Sequence, residues 1–94
     1  MKYIRCNWIH ANREYPVILY SELDDANWET RKVEVYADGH CGFASEVESA
    51  GGTFLGLESV PPFEEINSDP EFECAEIQQA EFDEVWARRH LPTL

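Results

Sequence analysis

Three cysteines, three histidines and nineteen carboxylates are the side chains in this sequence with chemistry to offer. A metal site would have to be drawn from His10, His40, His90, Cys6, Cys41 and Cys74. Only His40 and Cys41 are neighbours, and adjacent strand residues point to opposite faces. No spacing resembles a zinc site. A Cys–His nucleophile would need remote partners, and no serine sits in a Gly-x-Ser-x-Gly elbow. The pairs Asp24-Asp25, Glu64-Glu65 and Asp83-Glu84 could do acid–base or two-metal chemistry inside a dry pocket. They fall instead in expected turns and on helix surfaces. An Asp-x-Asp-x-Asp calcium loop is absent. Gly51-Gly52 precedes an expected strand rather than a helix, so it does not read as a phosphate cradle. The sequence therefore implies no metal, no cofactor and no catalytic set, and the chain does not read as an enzyme.

Its charge says more. From Val33 to Ala87 there is no lysine or arginine, against fourteen aspartates and glutamates. The first thirty-two residues balance, the tail adds Arg88 and Arg89, and the net charge of −12 arises entirely between them. Such a field attracts cationic surfaces and speeds encounter with them. It excludes direct binding to nucleic acid or an anionic membrane, which require basic patches. Plain solvation is the competing account of the same acidity.

Ninety-four residues suit one domain, 1–94, with one modest core. Twelve aromatic residues argue against a disordered acidic tail. Met1 to Asn7 is broken by charge and has no apolar signal region. No apolar run approaches the roughly 20 residues needed to span a bilayer. Three cysteines with no paired spacing read as reduced and mostly buried, which suggests a cytoplasmic protein.

The elements follow from periodicity and turn chemistry. Residues 2–10 alternate, with Ile4, Cys6 and Trp8 on one face. Pro16 opens a second strand, Leu23 to Asn27 forms a turn, and a third strand runs from Trp28 to Ala37. Asp38-Gly39 predicts a two-residue type I′ hairpin into a fourth strand over 40–46. Phe54, Leu55 and Leu57 predict a fifth strand. Pro62 predicts a short helical turn over 63–66. Ser68-Asp69-Pro70-Glu71 predicts a second helix start. Phe82, Val85, Trp86 and Arg89 follow helical spacing, with acids before them and bases after. The sum is an α+β fold: an antiparallel sheet of four or five strands packed by a C-terminal helix. The expected core is Trp8, Val33, Val35, Phe43, Leu55, Phe82 and Trp86. An exposed edge strand could pair two copies, so both monomer and homodimer stand open.

Several stretches carry a resemblance: Lys2-Tyr3-Ile4-Arg5, Trp8-Ile9-His10, Tyr20-Ser21-Glu22-Leu23-Asp24, Arg31-Lys32-Val33-Glu34-Val35, Asp38-Gly39 and Gly52-Thr53-Phe54-Leu55-Gly56. Glu64-Glu65-Ile66-Asn67, Asp69-Pro70-Glu71-Phe72-Glu73 and Glu81-Phe82-Asp83-Glu84-Val85-Trp86 extend it over most of the chain. Together they resemble a family of small, acidic, single-domain bacterial proteins of unknown function. Gln78 departs from it, standing where Ser, Thr or Asp would cap the last helix. Domains of this character are similar to immunity proteins of polymorphic toxin systems.

That likeness and the acidity imply an acidic binding protein that neutralises a basic protein partner, foremost a nuclease-like toxin domain. The expected contact residues are Asp24, Asp25, Glu64, Glu65, Asp69, Glu71 and Glu73, with Trp28 as aromatic anchor. Two alternatives remain: a phage-type DNA mimic acting on a DNA-binding defence protein, and a small ligand-binding module or enzyme on the sheet face.

Overall fold

The computed structural model describes residues 1–92. Strands β1 (Lys2–Trp8), β2 (Ile18–Leu23), β3 (Glu29–Val35), β4 (Cys41–Ser45) and β5 (Ser49–Ala50) are followed by helix α1 (Phe63–Asn67), strand β6 (Phe72–Ile77) and helix α2 (Gln79–Ala87). The fold is α+β, with six strands rather than four or five, in the order β5-β4-β3-β2-β1-β6. Every pairing is antiparallel.

The first three turns show how local chemistry sets the meander. Asp24 Oδ1 accepts the backbone N–H of both Ala26 and Trp28 at 2.9 Å, and Asn27 takes a φ of 64°. The β1–β2 loop is pinned by His10 and Asn12, which bond Pro16, each other and Glu14. At the β3–β4 hairpin only Gly39, not Asp38, has positive φ (91°). The expected two-residue type I′ turn is thus corrected to a longer loop. Gly39 N–H bonds Tyr36 O, and Tyr36 N–H bonds His40 O, both at 2.9 Å.

Two expected elements are corrected. Residues 54–57 are not a strand. Gly51 and Gly52 adopt φ of 72° and 77° and turn the chain back after the two-residue β5. Glu29 Oε1 then accepts the Gly56 N–H at 2.6 Å, and Val60 N–H bonds Asn27 O, so the segment crosses the sheet as a loop. Phe54 and Leu57 are exposed and Leu55 is only half-buried, which removes Leu55 from the core. The second correction is at Ser68 to Glu71, which starts no helix. Ser68 caps the C-terminus of α1, Asp69 Oδ1 accepts the Glu71 N–H, and the chain enters β6.

Each sheet face has its own small core. On one, Ile4, Cys6, Leu23 and Cys74 lie under Val60 and the Phe63 and Ile66 side chains of α1. On the other, Val33, Val35 and Phe43 pack against Val85 and Trp86 of α2, while Phe82 is fully buried, tilted against Tyr3 and stacked on Trp86. Register explains the division: Ile4, Ser21, Lys32 and Ala44 are cross-strand neighbours on the first face, and Arg5, Tyr20, Val33 and Phe43 on the second. Gly42, also on the first face, has to be glycine, because a Cβ there would meet Thr53 Oγ1 at 2.1 Å. Gln78 precedes α2 with no side-chain cap bond.

The reading of three reduced cysteines is also corrected. Cys6 and Cys74 form a disulfide between directly opposed residues of β1 and β6. They are 68 residues apart, a separation that carries no spacing signal. Their pairing follows from register, and it removes the cysteine argument for a reducing compartment. Cys41 is free and its Sγ donates to Arg89 O, while burial pushes its thiol pKa up, which disfavours the reactive thiolate. Beside the disulfide, the Asn67 carboxamide bonds both the N–H and the C=O of Cys74, at 2.7 and 3.0 Å. It thereby occupies an outward-facing position of the β6 edge.

Candidate functional site

Arg31 and Arg89 pair with acids on the α2 face of the sheet, and Lys32 pairs with Glu29 on the opposite face. Arg31 bonds Glu22 through Nε and Nη2, at 3.0 and 2.6 Å, and reaches Asp83 of α2 at 3.1 Å. Lys32 meets Glu29, and Arg89 meets Glu48 at 2.7 Å. Arg31 and Arg89 also lie over the Trp86 ring, 5.2 and 4.2 Å from its centroid. Arg31, with Thr30 and Tyr3 as further donors, holds the Glu22 carboxyl at about 2 against the opposing effect of its burial. Two grooves run along α2, and one is lined by these groups. One of about 490 Å³ holds Glu22, Arg31, Glu48, Trp86 and Arg89. The other, of about 320 Å³, lies between Tyr20, Val35, Val85 and Arg88.

The opposite edge is built differently. Residues 63–77 carry Glu64, Glu65, Asp69, Glu71, Glu73 and Glu76, and no lysine, arginine or histidine. All six carboxylates are exposed, and none joins a salt bridge among the described residues. α1 packs on β6, so these residues share one margin of the molecule. Its N-terminal end lies beside the β2–β3 turn, where Asn27, Phe63 and Glu64 line a common hollow.

The residues expected to contact a partner are only partly brought together. Glu64, Glu65, Asp69 and Glu71 share the α1–β6 margin. Asp25 and Trp28 lie on the neighbouring turn, with Trp28 exposed. Asp24 and Asp69 are occupied in building turns. Glu73 pairs in register with Asn7 and faces the α2 side of the sheet, away from Cys74 and α1.

Trp8 was expected in the core and is corrected. It follows Ile4 and Cys6 on their face but lies beyond the cover of α1, and it is half-buried. Tyr15 and Phe72 each stack on it with centroids 5.5 Å away, and His10 meets it edge-on at 4.6 Å. The Trp8 indole N–H donates to Glu71 Oε2 at 3.4 Å. Tyr15 is half-exposed. Reading alternation alone found the right face for Trp8, but not where its cover ends.

Among the described residues, no group of three or more His, Cys, Asp or Glu is placed to hold a metal ion. Among the same residues, no helix is long and apolar enough to cross a membrane. A small α+β domain with ion pairs tying α2 to the sheet and a bare acidic margin along α1 and β6 is the class these observations define. The chain belongs to the family described as Domain of unknown function (DUF6881), which matches residues 2–91. No curated protein and no solved structure matches it.

Proposed function

We propose that the protein binds and neutralises a basic protein partner through the α1–β6 margin. It would act stoichiometrically, in the manner of an immunity protein on a nuclease-like toxin domain in the cytoplasm. The observation that carries this reading is the run of six exposed carboxylates between Glu64 and Glu76, with no basic residue among them and no salt bridge to any of them among the described residues. A groove that binds nucleic acid is lined with lysine and arginine, so an unpaired acidic margin complements it and excludes its substrate. Exposed carboxylates speed association and lose that effect in salt.

The test is affinity capture from a lysate of the native host, at low and moderate salt, with wild type and with Glu64→Gln/Glu65→Gln/Glu71→Gln. Recovery of one basic nuclease by the wild type, lost with the triple substitution, is the expected result. A basic DNA-binding protein with no hydrolytic activity would favour DNA mimicry instead. No specific partner, or one held equally by the variant at either salt, would overturn the proposal.

A further inference from the structure

A carboxylate margin attracts any cation; an anchor has to choose among them. The stack at the end of β1 has the features of one. Its aromatic rings are set before binding: Trp8 leaves the end of a paired strand, and Tyr15 sits in a loop held by His10 Nε2–Pro16 O (2.8 Å), Asn12 N–His10 Nδ1 (3.0 Å) and Glu14 N–Asn12 Oδ1 (2.9 Å). A preset ring loses little entropy when it is covered. Tyr15 is 50% exposed and the neighbouring Ile9 53%, so ring and apolar surface are open to a partner.

The surroundings select a cation. Glu71 gives Oε2 to the Trp8 indole, leaving Oε1 without a protein donor among the described residues. Asp69 holds the Glu71 backbone. Arg13, the loop's own cation, lines a separate hollow with Tyr36 and Asp38. The aromatic faces are electronegative, and the carboxylate at their margin is unpaired. Of the two cationic side chains, a guanidinium fits better. It is planar, stacks on rings and donates in a fixed fork to a carboxylate, whereas an ammonium is a compact, strongly hydrated point charge.

We propose that the Trp8–Tyr15–Phe72 stack, with Glu71 at its margin, is the seat of one arginine side chain of the basic protein partner. The guanidinium lies on the exposed rings, Tyr15 foremost, and donates to Glu71. This rests on the reading of the margin as a surface for a basic partner and adds the residue type that docks first.

The experiment is an NMR titration of the full chain with hexa-arginine, hexa-lysine and adenosine, following the indole N–H resonances of Trp8, Trp28 and Trp86. Hexa-arginine should move the Trp8 resonance saturably and leave Trp86 unmoved, and hexa-lysine should bind several-fold more weakly. Tyr15→Ala, in an exposed loop, and Glu71→Gln should each raise the Kd for hexa-arginine about tenfold. If hexa-arginine binds but Trp8 stays still and Tyr15→Ala changes nothing, the anchor is overturned while the acidic margin stands. Equal affinity for both peptides overturns the choice of arginine. A response of Trp8 to adenosine alone overturns the cationic occupant. Failure of both peptides to bind at low salt overturns the margin reading, and the anchor with it.

Discussion

The two sides of this sheet carry acid in opposite ways. On the α2 side, Glu22, Asp83 and Glu48 each meet a guanidinium, and two arginines lie over the Trp86 ring. There, charge belongs to the packing. Along α1 and β6 the carboxylates meet no cation, and what holds that margin is of another kind: the Cys6–Cys74 disulfide and the Asn67 carboxamide. The difference teaches where a small domain can afford self-repulsion. It places it where a covalent bond and neutral hydrogen bonds do the holding, and keeps ion pairs for the side whose core depends on them.

The strongest way to break this contrast is to remove the staple. Cys6→Ala/Cys74→Ala should cost about 4 kcal/mol in urea unfolding, because the bond closes a long loop in the unfolded chain. Its presence is checked directly: without reductant, the denatured protein should show a single titratable thiol, that of Cys41.

Next in size is the paired side. Glu22→Ala strips a largely buried carboxylate from Arg31 and should cost about 3 kcal/mol by the same measurement. Titration offers a version without mutation. The Glu22 carboxyl is held at about 2 in the folded chain, below its ordinary value, so its contribution is fully present above the ordinary carboxylate range and lost as pH falls toward about 2. Wild-type stability should fall steeply through that window, and the fall should be shallower in Glu22→Gln. Identical curves would show that the pair does not hold the fold.

The smallest effect has the opposite sign. Glu64→Gln/Glu65→Gln/Glu76→Gln should slightly raise the urea midpoint at low salt, an increase erased at high salt, because it relieves repulsion between exposed groups. A loss of stability would mean these acids are paired after all, and the two sides alike.

The first four strands, their antiparallel order and α2 were legible, because alternation and helical spacing coincide there with clear turn residues such as Asp24 and Gly39. β6 was not. Ser68, Asp69 and Pro70 are the residues of a helix start, and here they close α1 and form a turn instead. The Phe72–Ile77 alternation was hidden because Glu73 and Glu76 put acid on both faces. The disulfide could not be read without β6, since only the register of β1 and β6 opposes Cys6 and Cys74. The candidate surface was half legible. Glu64, Glu65 and Glu71 are on the margin as their composition suggested. Trp8 and Tyr15 stand beside Glu71, while Trp28 is exposed on the β2–β3 turn near the start of α1, and nothing in local spacing indicates that α1 stops short of Trp8.

The Asn67 carboxamide has one more consequence. Sheets with open borders grow by recruiting strands from other molecules, the route to fibrils and to swapped assemblies. Here the middle of the β6 border is already filled by a side chain that offers Cys74 the donor and acceptor a neighbouring strand would bring. At the far border, β5 offers only two residues. A molecule crowded among its own copies therefore meets a ladder closed at one end by an amide plug and cut short at the other, with like charge repelling whatever approaches.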